Sequence, residues 1–186
     1  MSNLFISFIL LIMEINGQPN KMEERTNPNV SLDKDWKTLT QDNYTIQYPS
    51  SWELDQSGDL GSSFILFSPL ESEQDSFQEN INLLIQDLTG MEIDLDKFAS
   101  ISEDQVKTMI PNSNLIESIR LKPETGEYHR IIYTGDLGMY HVKYEQYYWM
   151  INEQAYILTL TTELDKFDKY KETGERILNS FMIKKN

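Results

Sequence analysis

From Leu115 to Thr161 this chain is a series of short β-type runs divided by turn-forming residues, and this restricts the fold more than anything else in the sequence. Leu115 to Leu121, Glu127 to Thr134, Tyr140 to Ile151 and Ala155 to Thr161 are rich in aromatic and β-branched residues. The turns between them are supplied by Gly126, by Gly135-Asp136-Leu137-Gly138 and by Asn152-Glu153. Connections this short join neighbouring antiparallel strands; a parallel crossover needs a dozen residues or more. The spacing therefore predicts a meander of sequential hairpins. Earlier in the chain, Lys37 to Thr40 and Tyr44 to Tyr48 flank the turn pair Asp42-Asn43, Phe64 to Phe67 is closed by Pro69, and Ile81 to Leu88 is apolar enough for an inner strand.

The period changes twice. After Asp94, a candidate N-cap, Leu95, Phe98, Ser102, Val106 and Met109 recur at helical spacing until Ile110 and Pro111. Near the end, Phe167, Tyr170, Gly174, Ile177, Leu178 and Phe181 form a second stripe, with Asp165 as the expected cap and Lys184-Lys185 set to complement the helix dipole. Strands, a helix, a long meander and a helix make an α+β domain. At 186 residues the chain supports one sizeable core.

At the N-terminus, Leu4 to Met13 is an uncharged run, apolar except for Ser7, too short to span a bilayer as a helix. It suits the hydrophobic part of a secretory signal, with cleavage after Gly17; the alternative is a buried first strand or helix. Residues 1–17 are thus expected to be a signal or hydrophobic segment. Residues 18–34, polar and without periodicity, are expected to be a flexible linker, and residues 35–186 the domain. Export to the periplasm or the exterior follows, with no stable membrane anchor once the signal is removed.

Charge and residue types narrow the chemistry. Thirty acidic against sixteen basic side chains give −14 and a pI near 4.5. A surface this acidic repels phosphate backbones, so nucleic acid is not an expected partner, and self-repulsion favours a monomer. The absence of Cys rules out disulfides, thiolate metal sites and Cys nucleophiles. Only His129 and His141 are present. A zinc site would need both together with carboxylates such as Glu127 and Glu145, and ordinary surface or half-buried histidines are the expectation. Asp94-Leu95-Asp96 and the acidic stretch Glu71, Glu73, Asp75 and Glu79 lack the calcium-loop pattern and read as solvated carboxylates. There is no Gly-x-Ser-x-Gly, phosphate loop or dinucleotide fingerprint. No catalytic residue, cofactor or metal is assigned, and a non-enzymatic protein is expected.

Aromatics are the remaining signal. Along Tyr140 to Ile151 one face carries Tyr140, Val142, Tyr144, Gln146, Tyr148 and Met150, and reads as core. The other carries His141, Lys143, Glu145, Tyr147, Trp149 and Ile151. His141, Lys143, Tyr147 and Trp149 on this second face are a candidate binding surface. The competing expectation is that the second helix covers it.

The segment YTIQYPSSWE (Tyr44 to Glu53) resembles the opening hairpin of PsbP and DcrB-like domains, in which an aromatic strand runs into Tyr-Pro-x-x-Trp. The order that follows is similar to theirs: short strands, a helix such as LDKFASISEDQVKTM, a four-strand meander, and a C-terminal helix running into ILNSFMI at Ile177 to Ile183. The resemblance covers Trp36 to Ile183. It implies an αβα sandwich: a curved, mainly antiparallel sheet with helices on opposite sides. It also implies a role in docking onto other macromolecules. PsbP is an extrinsic subunit of the oxygen-evolving complex, DcrB-like members are periplasmic or lipoprotein factors, and eukaryotic relatives bind the Ran GTPase. The chain departs from the lipoprotein members in having no lipidation Cys. An envelope protein is the implied partner; a small-molecule or lipid carrier using the sheet cavity is the alternative.

Overall fold

A computed structural model describes residues 35–124 and 126–184; the expected signal segment and linker lie outside the described residues. Ten strands and two helices follow one another as β1 (Trp36–Thr40), β2 (Tyr44–Pro49), β3 (Glu53–Asp55), β4 (Phe64–Phe67), β5 (Asn80–Asp87), α1 (Leu95–Met109), β6 (Asn114–Leu121), β7 (Tyr128–Leu137), β8 (Tyr140–Ile151), β9 (Gln154–Glu163), α2 (Phe167–Asn179) and β10 (Met182–Ile183). Seven strands form an antiparallel sheet in the order β3-β4-β5-β9-β8-β7-β6, so β6 to β9 are the expected run of sequential hairpins. The β8–β9 hairpin turns on Asn152 and Glu153, both at positive φ (50° and 58°). A two-residue loop with both residues left-handed matches the right-handed twist of the strands it joins.

Alternation along the strands sends side chains to two cores. One face of the large sheet holds Tyr133, Tyr144, Tyr148 and Ile157 against Leu95, Phe98, Ala99 and Val106 of α1. The other holds Leu83, Tyr147, Tyr156, Leu158 and Leu160 against Ile177 and Leu178 of α2 and against Tyr44, Ile46 and Tyr48 of β2. The helices therefore lie on opposite sides, as the resemblance implies. Two glycines permit the close approaches. A Cβ at Gly174 of α2 would sit 2.6 Å from Leu160 Cδ2, and one at Gly135 would run into Ile110.

Asp94 caps α1 as expected, accepting from the Lys97 N–H at 2.8 Å. Four other expectations need correction. Asp165 does not cap α2: it lies in a short 3₁₀ turn, Leu164–Lys166, and the helix begins after Lys166 without a side-chain cap. Met109 ends the α1 stripe in solvent, half exposed. Lys184 does not serve the α2 dipole, because the chain leaves the helix at Asn179 and forms β10. There the Lys184 ammonium reaches the Gln41 carbonyl at 2.5 Å. With β10, strands β1 and β2 make a separate three-stranded sheet, β1-β2-β10, where one sheet was expected. Met182–Ile183 is too short to show a period; only its pairing with Thr45 and Tyr44 makes it a strand.

Candidate functional site

A surface concavity is built where β7, β8 and the end of α2 meet. The cleft has a volume of about 500 Å³ and is lined by Tyr128 of β7, Tyr147, Trp149 and Ile151 of β8, Leu178 and Asn179 of α2, Phe181 to Ile183 beyond it, and Pro123, Gly126 and Glu127 of the β6–β7 connection. Its floor is aromatic. Tyr128 stacks on Tyr147 with ring centroids 4.8 Å apart and packs 5.4 Å from Trp149, and Trp149 packs 5.1 Å from Phe181. Tyr147 is buried, Tyr128 and Trp149 are half-buried, and Met182 on the rim is 58% exposed. Phe181 turns inward because the chain bends out of α2 after Asn179 to pair with β2. Ser180 closes that bend, its hydroxyl accepting from the Gln47 N–H at 2.8 Å.

The floor rests on a buried carboxylate. Glu145, 1% exposed, accepts from the Tyr147 hydroxyl at 3.1 Å, with Arg130 4.0 Å away. Burial outweighs these partners and raises its pKa. In the unfolded chain a Glu ionises near its ordinary value of about 4.3, while in the folded chain it holds its proton to higher pH, so this group makes stability fall as pH rises between the two. Glu145→Gln cannot titrate and removes that part of the fall. Thermal melts from about pH 4 to about pH 8 should show the variant gaining on the wild type as pH rises. A difference independent of pH would contradict the assignment.

On the rim, Glu127 is gripped by Arg120 through two 2.7 Å bonds and by Lys122 at 2.8 Å; these cations hold its pKa down to about 2. Arg120 also reaches Asp96 of α1 at 2.5 Å, tying the cleft's edge to the opposite layer.

The four residues of the candidate face share one side of β8 but do not form one patch. Tyr147 and Trp149 belong to the cleft. His141 and Lys143 stand toward the other end of the strand, eight and six residues from Trp149, or roughly 26 Å and roughly 20 Å at about 3.3 Å per residue. His141 is exposed, with Nδ1 2.7 Å from Asp136 Oδ1. The Lys143 ammonium lies 3.5 Å over the Phe167 ring of α2. Tyr147 is 2% exposed and presents little surface to the cleft, since it stacks on Tyr128 and its hydroxyl donates to Glu145. Tyr128, Phe181, Met182 and Ile183 were not legible as site residues. Tyr128 read as an ordinary strand start, and the last three as the end of a helix.

The histidines are far apart: the register sets His129 opposite Tyr148 and His141 opposite Asp136. His129 lies under α1, where its Nε2 is 2.7 Å from the Ser118 hydroxyl and that hydroxyl donates to Glu103 at 2.5 Å. The carboxylate thus holds the serine, while His129 Nδ1 is buried without a partner. A catalytic triad needs the reverse, with the carboxylate orienting the histidine. Among the described residues no three His, Asp or Glu side chains converge to hold a metal ion. The expectation that the acidic stretch is solvated needs correction: Glu79 is fully buried, and Asp75 binds Lys166 at 3.0 Å, tying the loop to the start of α2.

With this fold and cleft in view, the match to a family of known proteins is decisive: residues 3–183 fit the model described as PsbP-like protein. The chain belongs to the PsbP-like family. Solved structures of the same fold include the cyanobacterial PsbP (CyanoP) of Synechocystis sp. PCC 6803, 13% identical with a TM-score of 0.57, covering 88% of this chain and 99% of that one. LpqN of Mycobacterium tuberculosis, described as involved in cell envelope biogenesis, is 13% identical with a TM-score of 0.58, over 86% and 100% of the two chains. PA94 of Pseudomonas aeruginosa, described as a putative regulator of unknown function, is 11% identical with a TM-score of 0.57, over 81% and 99%. No curated protein sequence matches the chain. No helix among the described residues is long and apolar enough to cross a membrane.

Proposed function

We propose that this PsbP-like protein is an exported, non-enzymatic accessory protein that docks on an envelope or membrane-associated protein through the aromatic cleft. The observation that carries the reading is the cleft's composition: half-buried Tyr128 and Trp149 beside the exposed Met182 and Ile151. Aromatic residues and Met are enriched at interface cores, where they supply large contact area at low entropic loss. The chain's own helices and small sheet cover most of both faces of the large sheet, and the α2 side of β7 and β8 beyond the end of that helix is left open to a partner. Export is supported by the apolar run Leu4 to Met13 and by the envelope role described for LpqN. Net charge of −14 favours a monomer and disfavours nucleic acid.

The test is photo-crosslinking in the native envelope from a benzoylphenylalanine placed at Met182, with Leu70, on the acidic loop and 49% exposed, as the control position. The expected result is a discrete protein adduct from position 182 that Leu70 does not give and that Trp149→Leu abolishes. Equal adducts from both positions overturn the reading. A volume of about 500 Å³ also lies within the range of small-molecule sites. Co-purification of a lipid or other small molecule displaced by Trp149→Leu would establish the carrier function instead.

A further inference from the structure

The aromatic rings on the α2 side differ in how their faces are used. Arg176 lies 4.0 Å from the Trp36 ring centroid, the Lys143 ammonium 3.5 Å from that of Phe167, and the Lys169 ammonium 5.7 Å from that of Tyr170. The chain thus supplies its own cation to three rings. Among the described residues no cation stands over Trp149 or Tyr128, though both are half-buried and face the cleft. The basic side chains nearby are committed elsewhere. Arg120 and Lys122 grip Glu127, and Arg130 is held by Glu117 at 2.7 Å.

A ring face attracts a cation through its quadrupole, most strongly for Trp and in a site partly shielded from water. The protein around this cleft carries −14, which draws cations toward it over the range of a Debye length. Among the described residues Glu127 is the only charged side chain of the lining, and Arg120 and Lys122 already pair it, so attraction for a cation comes from the ring faces and the net charge. The apolar rim of Ile151, Met182 and Ile183 asks for flanking hydrophobic side chains.

We infer that the cleft recognises a partner-protein segment in which a basic side chain, above all Arg, is flanked by apolar residues, the guanidinium stacking on Trp149 and Tyr128. This inference rests on the docking reading and specifies the chemistry of its partner. Arg fits better than Lys because its planar, weakly hydrated guanidinium stacks on an aromatic face.

The experiment compares two capped pentapeptides by calorimetric titration into the full chain at low salt. One alternates leucine with arginine; the other replaces arginine by citrulline, which keeps the shape and removes the charge. The arginine peptide is expected to bind roughly five- to tenfold more tightly, the size of a partly desolvated cation–π contact. Its advantage should shrink with added salt and vanish in Trp149→Leu, which keeps an apolar side chain without a ring. Equal affinity for the two peptides overturns the inference while leaving the docking reading to the crosslinking test, and so does the absence of saturable binding by either. Phosphatidylcholine vesicles that compete fully with the arginine peptide overturn it in favour of a lipid headgroup. The wild-type comparison needs no variant, so a folding defect in Trp149→Leu does not shelter the proposal.

Discussion

Replacing Tyr147 and Trp149 together by Ala is expected to destabilise the domain by about 5 kcal/mol. Tyr147 is 2% exposed, stacked on Tyr128 and hydrogen-bonded to a buried Glu145. Its removal opens a cavity and deprives a buried carboxylate of its donor, two effects that each carry a penalty. Trp149 contributes less, because part of its ring lines the cleft, yet it packs against Phe181 and Tyr128. The two rings touch, with centroids 5.9 Å apart, so the single losses will not simply add. A total near 5 kcal/mol approaches the whole stability of an average domain, and the double variant should melt far below the wild type or fail to fold. An unchanged melting temperature would show that this face of β8 is not core. Because Trp149 serves both packing and the cleft, Trp149→Leu is the better probe of binding.

Trp52→Ala should cost about 3–5 kcal/mol, the usual range for a large buried aromatic. Trp52 is 5% exposed, its backbone N–H closing a turn onto the Pro49 carbonyl at 3.0 Å and its ring meeting Tyr170 of α2 edge-on at 6.4 Å. It lies in the cluster shared by β2, the large sheet and α2, so its loss loosens the contact between the small sheet and the helix. Denaturant titration should show a lower midpoint with little change in slope, the mark of a weaker native state of the same compactness. A loss under about 1 kcal/mol would mean that the ring is not part of the core.

The elements whose identity depends on neighbours in sequence were legible in the chain. Period-two alternation in β8 separated its two faces, the short turns made β6 to β9 antiparallel neighbours, and Asp94 with Pro111 bounded α1. These are local consequences of strand pleating, turn length and backbone capping. The Tyr-Pro-x-x-Trp hairpin and the order of elements were enough to indicate the PsbP-like fold, because they record a sequence of local structures.

Tertiary structure decided the rest. Met182–Ile183 became a strand only by pairing with β2, and that pairing swung Phe181 under Trp149. The cleft exists because residues from β7, β8 and the end of α2, far apart in the chain, are brought to one corner of the sheet. His129 and His141, only twelve positions apart, were driven to opposite ends of a hairpin by its register, and Glu79, in a stretch that reads as solvated, was buried whole. Register and burial are settled by long-range packing, in which a whole face of apolar side chains outweighs the preference of any one residue. Apart from β10, the sequence by itself determined which elements form and in what order; the site is a property of how they pack.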